Sequence, residues 1–126
     1  MLLKENQIAP VVAEARAAFA GFTNWQTNNE KNEEYDGFAV WGEHHYASGN
    51  YNGTTFFVTL RLTEPGWRGD LTLGQPQFYW SSADMGDAIL LGTQPAPTLA
   101  DGIHALKTQM NALFIVLVAG KPADER

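Results

Sequence analysis

Residues 37–62 read GFAVWGEHHYASGNYNGTTFFVTLRL, and this stretch decides the fold class. Within residues 38–46, Phe38 and Val40 alternate with Ala39 and Trp41, and within residues 54–62, Phe56, Val58, Leu60 and Leu62 share one face. A segment rich in Gly and Asn separates the two stretches. Alternation with a period of two is typical of β-strands that bury one face. Gly and Asn tolerate the positive φ angles of tight turns. The stretch therefore predicts two antiparallel strands joined as a hairpin.

The strand pattern continues beyond this hairpin with short breaks. Pro65 and Gly66 predict a turn, and we expect three further strands, at residues 67–73, around residues 78–80 and at residues 88–91. Gly69 falls on the inward face of the first of these, which predicts that another element approaches closely there. Because the links are short, the sequence predicts a five-stranded antiparallel meander over residues 37–92.

Both ends of the chain carry a helical period instead. Apolar residues recur every three or four positions over residues 6–20, which predicts an amphipathic helix. A second apolar stripe runs from Leu99 to Leu117 and follows Thr98 and Asp101, a pair typical of a capped helix start. The predicted fold class is therefore α+β, with an N-terminal helix, a five-stranded antiparallel meander sheet and a C-terminal helix. Both helices are expected to pack on one face of the sheet.

The composition favours one α+β domain over residues 1–126. The chain is 44% hydrophobic and 17% charged, which is typical of a packed globule of this length. Residues 23–36, TNWQTNNEKNEEYD, are polar and predict a loop. Residues 93–98 contain two prolines and predict a linker, and residues 120–126 predict a flexible tail.

Charge and cysteine content narrow the function classes. The chain has no cysteine, so disulfides, thiolate catalysis and cysteine-ligated metals are excluded. The net charge is -6 and the basic residues do not cluster, which disfavours nucleic-acid binding and favours a protein partner with a basic surface. The alternative is that the charge serves only solubility.

The same sequence favours a cytoplasmic protein without a membrane segment. Its N-terminus lacks the basic and apolar regions of a secretory signal. The longest apolar run, residues 112–119, is about half of the roughly 18 to 20 residues that span a bilayer. We therefore expect neither secretion nor membrane insertion.

Glu43, His44 and His45 form the clearest cluster of acid–base groups. In a strand, Glu43 and His45 share one face and His44 points to the other, so the two histidines are poorly placed to bind one metal ion. Paired surface histidines are therefore favoured over a metal site with a third, remote ligand. The glycines match no nucleotide-binding motif. We expect no catalytic residue, no metal and no cofactor.

Aromatic residues are the most suggestive feature that remains. If the helices cover one face of the sheet, alternation leaves several aromatic rings on the other, and Trp and Tyr are over-represented at interface hot spots. The candidates for binding a protein partner are Trp25, Tyr35, Trp41, Phe57 and Tyr79. The alternative is that the sheet curls and encloses both sets of side chains.

The end of the C-terminal helix is apolar nearly all round. Phe114, Ile115, Val116 and Val118 occupy the side that should be polar. One interpretation is a helix end buried deep in the core, or a short β-strand. The other is an interface that uses Phe114, Ile115 and Val118, which predicts a homodimer.

Three functional hypotheses follow. The sequence favours a small acidic non-catalytic protein-binding module, of the adaptor, chaperone, immunity or inhibitor type, that uses an aromatic sheet face. The alternative is a small-molecule-binding α+β cup with an apolar cavity between the sheet and the C-terminal helix. The third is an enzyme that uses His45, Glu43 or Asp84.

Overall fold

The computed structural model describes residues 1–31, 36–46, 54–76 and 89–120. The five strands form one antiparallel sheet in sequence order, with a helix before and a helix after it. The predicted α+β fold class is confirmed. The elements are α1 (Glu5–Ala18), β1 (Thr23–Lys31), β2 (Asp36–Tyr46), β3 (Thr54–Leu62), β4 (Trp67–Leu73), β5 (Ile89–Gly92) and α2 (Leu99–Ala119).

The first strand of the sheet differs from the prediction. The expected loop over residues 23–36 is wrong for residues 23–31, which pair with β2 as the edge strand β1. An edge strand can leave most of its side chains in solvent, and most of those in β1 are exposed. It therefore lacks the apolar alternation by which strands are recognised, and its polar side chains protect the free edge from pairing with another chain.

Two asparagines of β1, in the segment that was predicted to be a loop, form hydrogen bonds with backbone groups of neighbouring segments. The Asn29 side chain donates to the Leu3 carbonyl at 2.8 Å and accepts from the Leu3 N–H at 2.9 Å. Asn28 donates to the Gly37 carbonyl at 3.0 Å. The two Asn29 bonds hold the segment before α1 against the sheet edge, and the Asn28 bond ties β1 to β2.

Four of the five predicted strands lie among the residues that the structure describes, and one does not. The strands predicted at residues 38–46, 54–62 and 67–73 match β2, β3 and β4 closely, and the one predicted at 88–91 matches β5. β4 pairs directly with β5, with Leu71 opposite Leu91. The strand predicted around residues 78–80 lies outside the described residues.

The core forms where both helices pack on the same face of the sheet. Its buried side chains alternate along the central strands and recur every three or four positions along the helices, as the sequence pattern predicts. They are Ala15 and Phe19 from α1 and its C-cap, Phe38, Val40, Val58, Leu60, Trp67 and Leu71 from the sheet, and Leu99, Ile103 and Leu106 from α2.

Two glycines let α2 approach β4. A Cβ atom built on Gly69 would lie 2.9 Å from Leu106 Cδ2, and one built on Gly102 would lie 3.1 Å from Trp67 Cβ. The predicted close approach at Gly69 is therefore confirmed. The predicted cap also forms, because Thr98 Oγ1 accepts a hydrogen bond from the Asp101 N–H at 3.1 Å.

The length and composition of α2 are those of a helix that could cross a membrane. Its most apolar window has a mean hydropathy of 1.3. The first half of the helix is committed to the core through Leu99, Ile103 and Leu106. The core helix of a soluble protein can meet the same criterion.

Candidate functional site

An apolar groove lies between the sheet and the second half of α2. Its volume is about 460 Å³, and its walls come from the turn after α1, from three strands and from α2. Nearly all of the lining surface is apolar. The lining residues are Gly21, Phe22, His44, Tyr46, Phe56, Leu71, Met110 and Phe114.

The groove continues the helix-facing side of the sheet beyond the buried core. Phe38 and Val40 of β2 are core residues, and His44 and Tyr46 fall on the same face because they follow at even spacing. His44 stands opposite Phe56 in the ladder with β3. The groove therefore lies where β2 and β3 continue beyond the side chains that fill the core.

The helix side of the groove is formed as α2 leaves the core. Leu106 is fully buried, Met110 and Leu113 are half-buried, and Leu117, next on the same stripe, is exposed. Met110 and Phe114 lie at the transition and line the groove. The groove thus lies where the described part of the sheet no longer covers the apolar stripe of the helix.

His44 gives this apolar groove a polar group of defined orientation. Its Nδ1 lies 2.9 Å from the Gly21 carbonyl oxygen, and a carbonyl can only accept a hydrogen bond. Nδ1 therefore carries a proton in this contact, and the Nε2 edge of the ring is directed away from the Gly21 carbonyl. The ring also packs against Phe22, with the ring centroids 5.9 Å apart. Tyr46, exposed at the rim, adds a hydroxyl group.

Comparison of the chain with family models, with curated proteins and with solved structures finds no match. The groove must therefore be interpreted from its own geometry and chemistry.

The other members of the histidine cluster have separate partners. Glu43 Oε1 accepts a hydrogen bond from Asn24 at 3.1 Å, and His45 Nδ1 lies 3.1 Å from Thr55 Oγ1. Among the described residues, no three His, Asp or Glu side chains are grouped so that they could hold a metal ion. Asp84, the remaining residue of the enzyme hypothesis, lies outside the described residues.

Trp41 corrects the expectation of an exposed aromatic sheet face. It lies on the face opposite the helices, as alternation requires, but its side chain is only 4% exposed. Its neighbours across β3 and β4 are Thr59 and Asp70, which are also buried. Because this face is packed around Trp41, the ring is not accessible to a partner.

An ion pair between a half-buried arginine and a buried aspartate lies on the same face. Arg61 Nε is 3.3 Å from Asp70 Oδ2, and Gly92 leaves room for the carboxyl, since a Cβ there would lie 2.7 Å from Asp70 Oδ1. Burial raises the pKa of the Asp70 carboxyl, and the Arg61 and Arg68 guanidinium groups offset part of that shift. The ion pair with Arg61 therefore gives the buried Asp70 carboxyl a structural role.

The remaining aromatic candidates are only partly accessible or are not described. Trp25 is half-buried, donates from Nε1 to the Phe22 carbonyl at 3.1 Å, and lies over Gly42, where a Cβ would be 2.6 Å from the ring. Phe57 is half-buried. Tyr35 and Tyr79 lie outside the described residues, so their roles stay predictions.

The end of α2 is neither buried nor a strand. The helix continues to Ala119, and the dimer candidates Phe114, Ile115 and Val118 are all exposed, as are Val116 and Leu117. The interpretation of a helix end deep in the core is therefore wrong. The apolar run lies past the sheet contact that covers the first half of the helix.

A larger depression of about 690 Å³ lies beside α1. It is lined only by residues between 12 and 25, a continuous stretch of chain that includes Arg16 and Trp25. Its lining is much more polar than that of the apolar groove, whereas ligand pockets are lined predominantly by apolar side chains. The apolar groove is therefore the better candidate.

Proposed function

We propose that the protein binds a small apolar or amphipathic molecule in the groove between the sheet and α2. The observation that carries the proposal is a cavity of about 460 Å³ with an almost wholly apolar lining from five parts of the chain. Ligand sites are typically apolar concavities of about 300 to 1,000 Å³ with a few placed polar groups. His44 and Tyr46 supply such groups here.

This proposal corresponds to the second of the three hypotheses that the sequence supports. The protein-binding module loses part of its support because Trp41 is buried, although Phe57 and Trp25 keep some exposed surface. The groove combines concavity, apolar lining and a histidine ring at one place. We therefore favour ligand binding over recognition through the sheet face.

The expected affinity is moderate. A ligand with about 20 non-hydrogen atoms, at about 0.3 kcal/mol per atom, binds with about 6 kcal/mol, which corresponds to a Kd of tens of micromolar. A ligand with an alkyl or aromatic body gains this free energy mainly from burial against Phe22, Phe56 and Met110.

The test is a titration with an environment-sensitive apolar fluorophore, followed by competition with a medium-chain alcohol. Phe56→Ser removes a ring from the groove, and Phe57→Ser is the matched control because the next ring along β3 lies on the opposite face. We expect saturable binding that Phe56→Ser weakens about tenfold, a loss of about 1.4 kcal/mol. Phe57→Ser should leave the affinity unchanged.

Thermal unfolding of both variants checks that each is folded at the temperature of the titration. Two results would contradict the proposal. One is the absence of saturable binding by the unmodified protein, and the other is an equal loss of affinity in both folded variants.

A further inference from the structure

The most exposed apolar side chains of α2 share one side of the helix. Phe114, Leu117 and Val118, here named the helix-end stripe, are 55%, 70% and 88% exposed. Positions separated by three and four residues lie on the same side of a helix. Val116 points to another side of the helix and is 40% exposed, whereas Ile115, three positions before Val118, flanks the stripe and is 45% exposed.

The helix-end stripe is continuous with the apolar groove, because Phe114 belongs to both. The groove is partly open to solvent, and Tyr46, which also lines it, is exposed. The stripe and the open groove therefore form one apolar surface. A single partner that covers the stripe can also close the groove.

The end of α2 is uncharged, so charge repulsion does not oppose a second copy of the chain at this place. Each copy carries a net charge of -6, so two copies repel one another over most orientations. The last charged residue of α2 is Lys107, and residues 108–119 carry no charge. The end of the helix is thus a surface on which two acidic copies can meet without apposing like charges.

The exposed apolar area is more than half of the area that each partner buries in a standard interface. The helix-end stripe and Tyr46 together expose on the order of 500 Å² of side chain, against about 800 Å² that each partner buries in a standard interface. Large exposed apolar patches on soluble proteins mark interaction sites. The surrounding polar rim supplies the remaining area of such an interface.

We propose that two copies associate through their helix-end stripes in a two-fold arrangement, and that each copy closes the open side of the other's groove. A two-fold interface uses the same patch twice, so one self-complementary apolar stripe is sufficient. The first half of the proposal stands on the stripe alone, and the closure of the groove rests on the proposed ligand-binding function.

The first test measures the mass of the protein in solution by sedimentation equilibrium. We expect a species of twice 13.9 kDa at about 100 µM, in the micromolar range of modest interfaces. Leu117→Glu and, separately, Val118→Glu should each weaken association by at least about 100-fold, because each places a charge in the contact. Val116→Glu introduces the same charge on another side of the helix, because it lies only one or two positions from the stripe residues, and should leave the dimer intact.

Two outcomes of this measurement would overturn the dimer. One is a monomeric unmodified protein at about 100 µM, far above micromolar dissociation constants. The other is equal disruption by Val116→Glu. Binding of the monomer to neutral phospholipid vesicles, lost equally in all three variants, would assign the helix end to a membrane surface instead.

The second test measures the affinity of the apolar fluorophore in the same variants. If the second copy closes the groove, monomeric Leu117→Glu binds the fluorophore about tenfold more weakly than the dimer does. Equal affinity in monomer and dimer would overturn the closure while the proposed function stands. A dimer without saturable binding would overturn the proposed function while the association stands.

Discussion

The two halves of α2 carry the same apolar stripe, but the stripe is buried in the first half and exposed in the second. Leu106 in the first half is fully buried against β4, where Gly69 lets the helix approach. Leu117 continues the stripe in the second half and is exposed. The comparison teaches that periodicity identifies the apolar face of a helix, whereas the length of the neighbouring sheet decides how much of that face is covered.

The largest effect expected from this comparison is that of Leu106→Ala. The side chain is fully buried in the core and packs on the open backbone of Gly69. Truncation of a buried leucine costs about 2 to 5 kcal/mol, since the transfer free energy is lost and a cavity remains. We expect a value in the upper part of this range in urea unfolding. A loss below about 1 kcal/mol would show that the first half of α2 is not tightly packed.

The parts of the fold that sequence patterns predict are those that bury one face. β2, β3 and β4 alternate because one side meets the helices, and α2 begins at Thr98 because that hydroxyl caps the first turn. β1 was not predictable in the same way. As an exposed edge strand it takes polar residues, including asparagines that bond backbone groups from the side.

The candidate site was harder to predict than the fold, because its residues are distant in sequence. Phe22, Phe56 and Met110 come from a turn, a strand and a helix, and only the packing of these elements brings them together. A partial signal existed in His44, which alternation places on the helix-facing side after the core residues of β2. Alternation also placed Trp41 on the opposite face, but it carries no information about what covers that face.

A second prediction sharpens the account of the first half of α2. Gly69→Ala places a Cβ 2.9 Å from Leu106 Cδ2 and 3.0 Å from Leu106 Cβ, so the helix must shift away from β4. We expect a loss of about 1 to 3 kcal/mol of stability, as for other overpacked sites. Gly21→Ala is the control, since a Cβ there meets nothing within 4 Å.

The double variant Gly69→Ala with Leu106→Ala separates a local clash from a general weakness of the strand. Truncation of Leu106 removes the atoms that the new methyl group meets, so the two changes together should destabilise the protein by less than their sum. Additive losses would show that Gly69 acts through the backbone of β4 and not through its contact with α2.

The smallest effect is expected from Leu117→Ala, which repeats the substitution of Leu106 eleven positions further along the same helix. With most of the Leu117 side chain in solvent, little burial is lost, and alanine is the better helix former. In urea unfolding at about 1 µM, where a weak dimer dissociates, we expect a change within about 0.5 kcal/mol. At about 100 µM the unmodified protein should gain stability from association and the variant should gain less, because a partner that binds only the folded state stabilises it by mass action. A loss of about 2 kcal/mol or more at the low concentration would mean that Leu117 is packed within one copy. The contrast between the two halves of α2 would then be lost, and with it the surface on which the second copy is proposed to bind.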